Sequence, residues 1–136
     1  MASYTMRTEV SLPYETAVAA TRTALADQGF GVLTEIDLAA TLKAKLGVDL
    51  PPQIILGACR PALAYEALQA DPAIGTVLPC NVVVRATAGD TTVIEALDPS
   101  AMMGLSDHEA LHAVSTDARQ RLSAALANLA ALDQEA

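Results

Sequence analysis

The segment that decides the fold reads LPPQIILGACRP from Leu50 to Pro61 and DPAIGTVLPCN from Asp71 to Asn81. It contains both cysteines of the protein, Cys59 and Cys80, and each lies beside a proline at the end of an apolar run. The residues between the two halves have the spacing of a helix. We predict that the chain folds back on itself here and brings the two sulfur atoms to one end of a small sheet.

Simple distances make this return possible. A helix over residues 61–70 advances about 15 Å, and an extended return over residues 71–78 can cover about 24 Å. Cys59 also precedes a helix N-terminus, which favours a thiolate, and Arg60 is adjacent. Free cysteine is nevertheless one of the most buried residue types, so simple core packing of both thiols stays open. No C-x-x-C spacing supports a thioredoxin-type motif or a zinc knuckle.

Composition limits the classes of partner. The 136 residues are 52% hydrophobic and 18% charged, which predicts one domain over 1–136 with a frayed tail at 133–136. The net charge of −8 and the lack of a basic stripe argue against nucleic acid and against a membrane surface. We find no signal peptide and no apolar run near the length of a membrane span, so we expect a cytoplasmic protein.

The remaining pattern predicts an α+β fold, in which helices pack on a mainly antiparallel sheet of about five strands. Strands are predicted at 4–12, 30–36, 53–58, 82–87 and 92–97, the second being a hairpin-like return from the first. Helices are predicted after Pro13, after Asp37 and after Arg60, and a long C-terminal helix over 107–132. A capping box of Ser106 and Glu109 predicts the start of this last helix.

His108-Glu109-Ala110-Leu111-His112 is a literal H-E-x-x-H sequence. On a helix the two imidazoles stand one turn apart and the glutamate can act on a zinc-bound water. The extended metzincin spacing is absent, and Glu109 already has a capping role. We therefore interpret His108 and His112 as surface histidines, with opportunistic metal binding or a zinc hydrolase as the alternatives.

Several blocks in order resemble the domain-of-unknown-function 302 family. They are QGFGVL at 28–33, LAATLK at 38–43, LGACRP at 56–61, DPAIG at 71–75, LPCNVVV at 78–84, and DP at 98–99 followed by Met102. The resemblance implies a small bacterial or archaeal protein with a TATA-binding-protein-like α+β fold, frequently dimeric, whose biochemical role is not established. It also implies that Cys59, Cys80 and a methionine near Met102 are hallmark positions. Arg60 departs from the family pattern, which usually has asparagine there.

Together these observations predict a thiol-lined site made of Cys59, Arg60, Cys80, Asn81 and Met102. Such a site would bind a small ligand or a soft metal, or undergo redox chemistry; two thiolates and a thioether suit Cu(I). The alternatives are a structural or interaction module with packed cysteines, and an enzyme that uses a thiol or the two histidines. The sequence names no cofactor and no substrate.

The low charge, the many small residues and the family resemblance predict a homodimer. We expect size-exclusion chromatography with light scattering to give twice the 14.1 kDa mass of one chain. A particle of monomer mass at micromolar concentration would contradict this prediction.

Overall fold

The computed structural model describes residues 4–87, 89–105 and 108–135, and it contains five strands and four α-helices within these ranges. The elements are, in chain order, β1 (Thr5–Val10), α1 (Tyr14–Asp27), β2 (Gly31–Asp37), α2 (Leu38–Leu46), β3 (Gln53–Cys59), α3 (Pro61–Ala70), β4 (Cys80–Ala86), β5 (Thr92–Leu97) and α4 (Ala110–Glu135). Two short 3-10 segments, Pro72–Val77 and Pro99–Gly104, complete the connections.

All five strands form one antiparallel sheet in the order β1-β5-β4-β3-β2. The predicted α+β class is therefore confirmed. The predicted hairpin-like pairing of the first two strands is wrong, because β1 and β2 lie at opposite edges of the sheet. Helix α1 carries the chain from one edge to the other, which leaves the three central positions for later strands.

The helix ends follow the predicted signals where the sequence supplies a cap. The Asp37 carboxylate accepts a hydrogen bond of 2.9 Å from the Ala40 backbone N–H and so begins α2. Gly47 ends α2 in the left-handed conformation, with φ of 71°. Pro13 immediately precedes α1, where its missing N–H costs no helical hydrogen bond.

Two connections have features that the sequence did not indicate. The return over residues 71–78, for which the extended length was an upper bound, contains a 3-10 turn that begins where the Asp71 side chain accepts from the Ala73 backbone N–H. Helix α4 begins at Ala110, three residues later than predicted, and Glu109 therefore precedes the helix. Ser106, the other half of the predicted capping box, lies outside the described residues.

The buried residues form two hydrophobic clusters, and α4 contributes to both. The main cluster joins α1, the sheet and the second half of α4, and includes Leu25, Leu56, Val84, Ile94 and Leu122. The second cluster joins α3, the first 3-10 segment and the first half of α4; its members are Leu63, Ala67, Ile74, Leu111, Val114 and Ala118. One long amphipathic helix thus links both parts of the interior. In the described part of the chain no helix is both long and apolar enough to cross a bilayer.

A charged group on the sheet ties three neighbouring strands together. Glu95 on β5 accepts a hydrogen bond of 2.5 Å from the Thr5 hydroxyl on β1 and one of 2.8 Å from the Arg85 guanidinium on β4. Its side chain is only 15% exposed. The hydrogen bond from Thr5, together with the bond and charge of Arg85, holds the pKa of Glu95 below its ordinary value.

We expect Glu95→Gln to reduce the free energy of unfolding by about 1–2 kcal/mol at pH 7, since it weakens charge-assisted hydrogen bonds. A carboxyl with a lowered folded pKa contributes stability above its unfolded pKa and loses that contribution as the pH falls through the folded value. The difference between the two proteins should therefore shrink below the ordinary value of 4.5. Urea denaturation at pH 7 and pH 3 measures this, with exposed Glu9→Gln as control; a difference that is equal at both pH values would contradict it.

Candidate functional site

The pairing of β3 with β4 brings both cysteines to one end of the sheet. Cys59 is the last residue of β3, Cys80 is the first residue of β4, and Ala58 lies directly opposite Cys80. Cys59 is therefore one residue along β3 from the position opposite Cys80. This arrangement agrees with the predicted return of the chain.

Both cysteines line one small cavity between the two hydrophobic clusters. Its volume is about 30 Å³, and its lining is almost entirely apolar. The lining residues are Phe30, Ala58, Cys59, Arg60, Leu63, Ala64, Ala67, Leu78, Cys80, Val114 and Ala118. The cavity therefore lies where the end of the sheet meets α3 and the first half of α4.

The two sulfur atoms are free thiols in an environment that disfavours charge. Cys59 is partly buried, and Cys80 is only 9% exposed. Burial raises the pKa of Cys59; burial and then the charge of Cys59 raise the pKa of Cys80. The pKa of Cys59 is thus raised by the loss of solvation, although the residue lies close to the N-terminus of α3.

Arg60 contributes the cationic group of this cavity. It occupies the N-cap position of α3, where its side chain makes no capping hydrogen bond. Its Nε atom is buried and has no hydrogen-bond partner among the residues that the structure describes. The guanidinium lies against Gly29, where a Cβ would come within 3.0 Å of Nε; the glycine also has a φ of 84°. Because Gly29 has no side chain, the Arg60 guanidinium has room to lie against the backbone there.

Gly57 likewise leaves room for the side chains of Thr34 and Pro79. A Cβ at this position would overlap the side chain of Thr34 and lie 2.8 Å from the Pro79 ring. Pro79 directly precedes Cys80, so the glycine sets how closely this connection approaches β3. A side chain at 57 would therefore displace the entry to β4.

The structure places Asn81 away from this cavity. Asn81 is exposed and lines a groove on the sheet with Arg85 and Glu95. The backbone of Met102 lies in the second 3-10 segment, and its side chain lies outside the described residues. Of the predicted site residues whose side chains the structure describes, Cys59, Arg60 and Cys80 line the thiol cavity and Asn81 does not.

The H-E-x-x-H sequence does not have the geometry that its pattern suggests. His108 and Glu109 precede the first residue of α4, whereas exposed His112 lies in its first turn. The two histidines are thus not one turn apart on a continuous helix. Within the described ranges, no group of three or more His, Cys, Asp and Glu side chains could hold a metal ion.

The apolar walls of the cavity were missed by reasoning from the sequence. The connection after α1 contributes Phe30, and α4 contributes Val114 and Ala118; both segments are far from the cysteines along the chain. Val114 and Ala118 belong to a helical stripe that does predict burial. That stripe does not indicate which partner it covers, so the pattern alone could not assign them to a site.

The comparisons with known proteins agree with this fold. The family described as "Domain of unknown function DUF302" matches residues 6–129. A solved structure described as an uncharacterised conserved DUF302 protein from Bacillus stearothermophilus is similar, with a TM-score of 0.83 and 31% sequence identity. The match covers 92% of this chain and 97% of that chain. No functionally curated protein matches the chain.

The raised pKa values predict slow thiol chemistry at neutral pH. The thiolate is the species that reacts with iodoacetamide, so the alkylation rate should reach half its maximum above the ordinary pKa of 9.0. More deeply buried Cys80 should react more slowly than Cys59. Mass spectrometry of timed samples measures both rates, with the urea-unfolded chain as control. Half-maximal rates below pH 9, or equal rates at the two sites, would contradict this prediction.

Proposed function

The chain belongs to the DUF302 family, and we propose that this member binds one soft metal ion between Cys59 and Cys80. The observation that carries the proposal is that two free thiols line the same small, apolar cavity together with a cationic group. Thiolate sulfur selects soft ions such as Cu(I) over hard ions such as Mg²⁺.

The size of the cavity favours an ion over an organic ligand. Sites for small organic molecules usually enclose about 300–1,000 Å³, whereas this cavity encloses about 30 Å³. A volume of this order holds one or two atoms the size of a water molecule. A single metal ion is of this size, whereas an organic ligand is larger.

The state of the thiols favours metal binding over nucleophilic or redox catalysis. Reactive cysteines have lowered pKa values and stand in electropositive, accessible surroundings. Burial instead raises the pKa values of both Cys59 and Cys80, and Cys80 is almost inaccessible. A soft cation can still displace the thiol protons at these raised pKa values because it bonds to sulfur directly. Each thiol gives one proton to solvent, and two metal–sulfur bonds form.

The proposal is tested by titrating the reduced protein with Cu(I) in competition with a coloured Cu(I) chelator. We expect one Cu(I) per chain. Cys59→Ala and Cys80→Ala should each weaken binding on the order of 100-fold or more, because even the loss of an outer-shell partner costs about 10–100-fold. X-ray absorption of the complex should show two metal–sulfur bonds, one to Cys59 and one to Cys80.

His112→Ala is the matched control, since it removes the other candidate metal ligand and should leave Cu(I) affinity unchanged. Thermal denaturation of each cysteine variant shows whether it remains folded. Unaltered Cu(I) affinity in folded cysteine variants, or no binding by the parent protein, would contradict the proposal. If the parent protein binds no Cu(I) and both cysteine variants melt at a lower temperature, the thiols are packing residues.

A further inference from the structure

Arg60 is the exception among the arginines of this acidic protein. Five of the six arginines form an ion pair with a carboxylate: Arg7 with Glu9, Arg22 with Glu35, Arg85 with Glu95, Arg119 with Asp98 and Arg121 with Asp117. In the described part of the chain, Arg60 has no such partner. Its positive charge is therefore free to interact with an anionic group that forms at the cavity.

The position of Arg60 beside the thiols makes its lack of a carboxylate partner in the described part of the chain significant. It lines the cavity that contains both thiols, and its Nε is buried without a hydrogen bond. Burying an N–H of a charged group without a partner is unfavourable. An arginine whose only role was to remain solvated would not keep this atom in the interior.

We propose that Arg60 is the counter-charge of the metal complex and makes the site selective for a monovalent soft cation, Cu(I) or Ag(I). This inference rests on the proposed function. When two thiols bind M⁺, two protons leave and the M(S–Cys)₂ group carries a charge of −1. The guanidinium beside it brings the sum of the site to zero.

A divalent soft cation reverses this balance. Two thiolates and Cd²⁺ or Hg²⁺ form a neutral group, which leaves the partly buried guanidinium beside the apolar cavity without compensation. An uncompensated charge in such surroundings is costly, whereas a compensated pair with good contact is tolerated. The same two sulfur atoms should thus discriminate between ions by charge, because Arg60 remains positive in both complexes.

The test compares Cu(I) with Cd²⁺ in the parent protein and in Arg60→Gln and Arg60→Lys. We expect Arg60→Gln to weaken Cu(I) binding about tenfold or more, because it removes a unit charge from the lining of the cavity that would hold the complex. Cd²⁺ binding should stay equal or become tighter, so the ratio of the two affinities falls. Arg60→Lys should restore most of the ratio, because it keeps the charge.

Arg7→Gln is the matched control, since it removes one positive charge from β1, which is separated from β4 by β5. The ratio of Cu(I) affinity to Cd²⁺ affinity in this variant should equal that of the parent protein. If the parent protein binds both ions and the ratio is the same in Arg60→Gln, the role of Arg60 is wrong while the metal site stands. If the parent protein binds neither ion, the metal site is wrong and this inference fails with it.

Discussion

The antiparallel pairing of β3 with β4 is the constraint on which the rest of the site depends. Backbone hydrogen bonds fix Ala58 opposite Cys80, and the excursion through α3 must therefore leave and rejoin the sheet at the same end. A shift by one residue would turn Cys80 to the opposite face. The clearance at Gly57, which admits Thr34 and Pro79, allows this pairing to form without distortion.

The cavity exists because two hydrophobic clusters meet at this end of the sheet without merging. The main cluster extends to Phe30 and Ala58, and the second cluster begins at Leu63 and Val114. Helix α4 contributes to both and so holds them at a fixed distance. Protein interiors are otherwise close-packed, so a gap lined by two sulfur atoms is a specific feature of this junction.

The chemistry follows from placing few polar groups in an apolar space. Low solvation raises the pKa of both thiols, and the proposed soft-metal binding depends on this property. In the proposed complex, the guanidinium of Arg60, which forms no ion pair within the described ranges, compensates the charge that develops on the metal–sulfur group.

The sequence by itself determined the element types, most of their ends and the neighbourhood of the two cysteines. These depend on local signals: period-two and period-3.6 apolar patterns, the Asp37 cap and the glycines at 29 and 47. The tertiary structure alone decided that β1 and β2 occupy opposite edges, that Asn81 faces away from the cavity, and that Arg60 has no acidic partner among the residues the structure describes. It also placed His108 ahead of α4 and raised the thiol pKa values. Each of these depends on contacts between residues far apart in the chain, and a pattern of neighbours carries no information about which distant surface will cover a side chain.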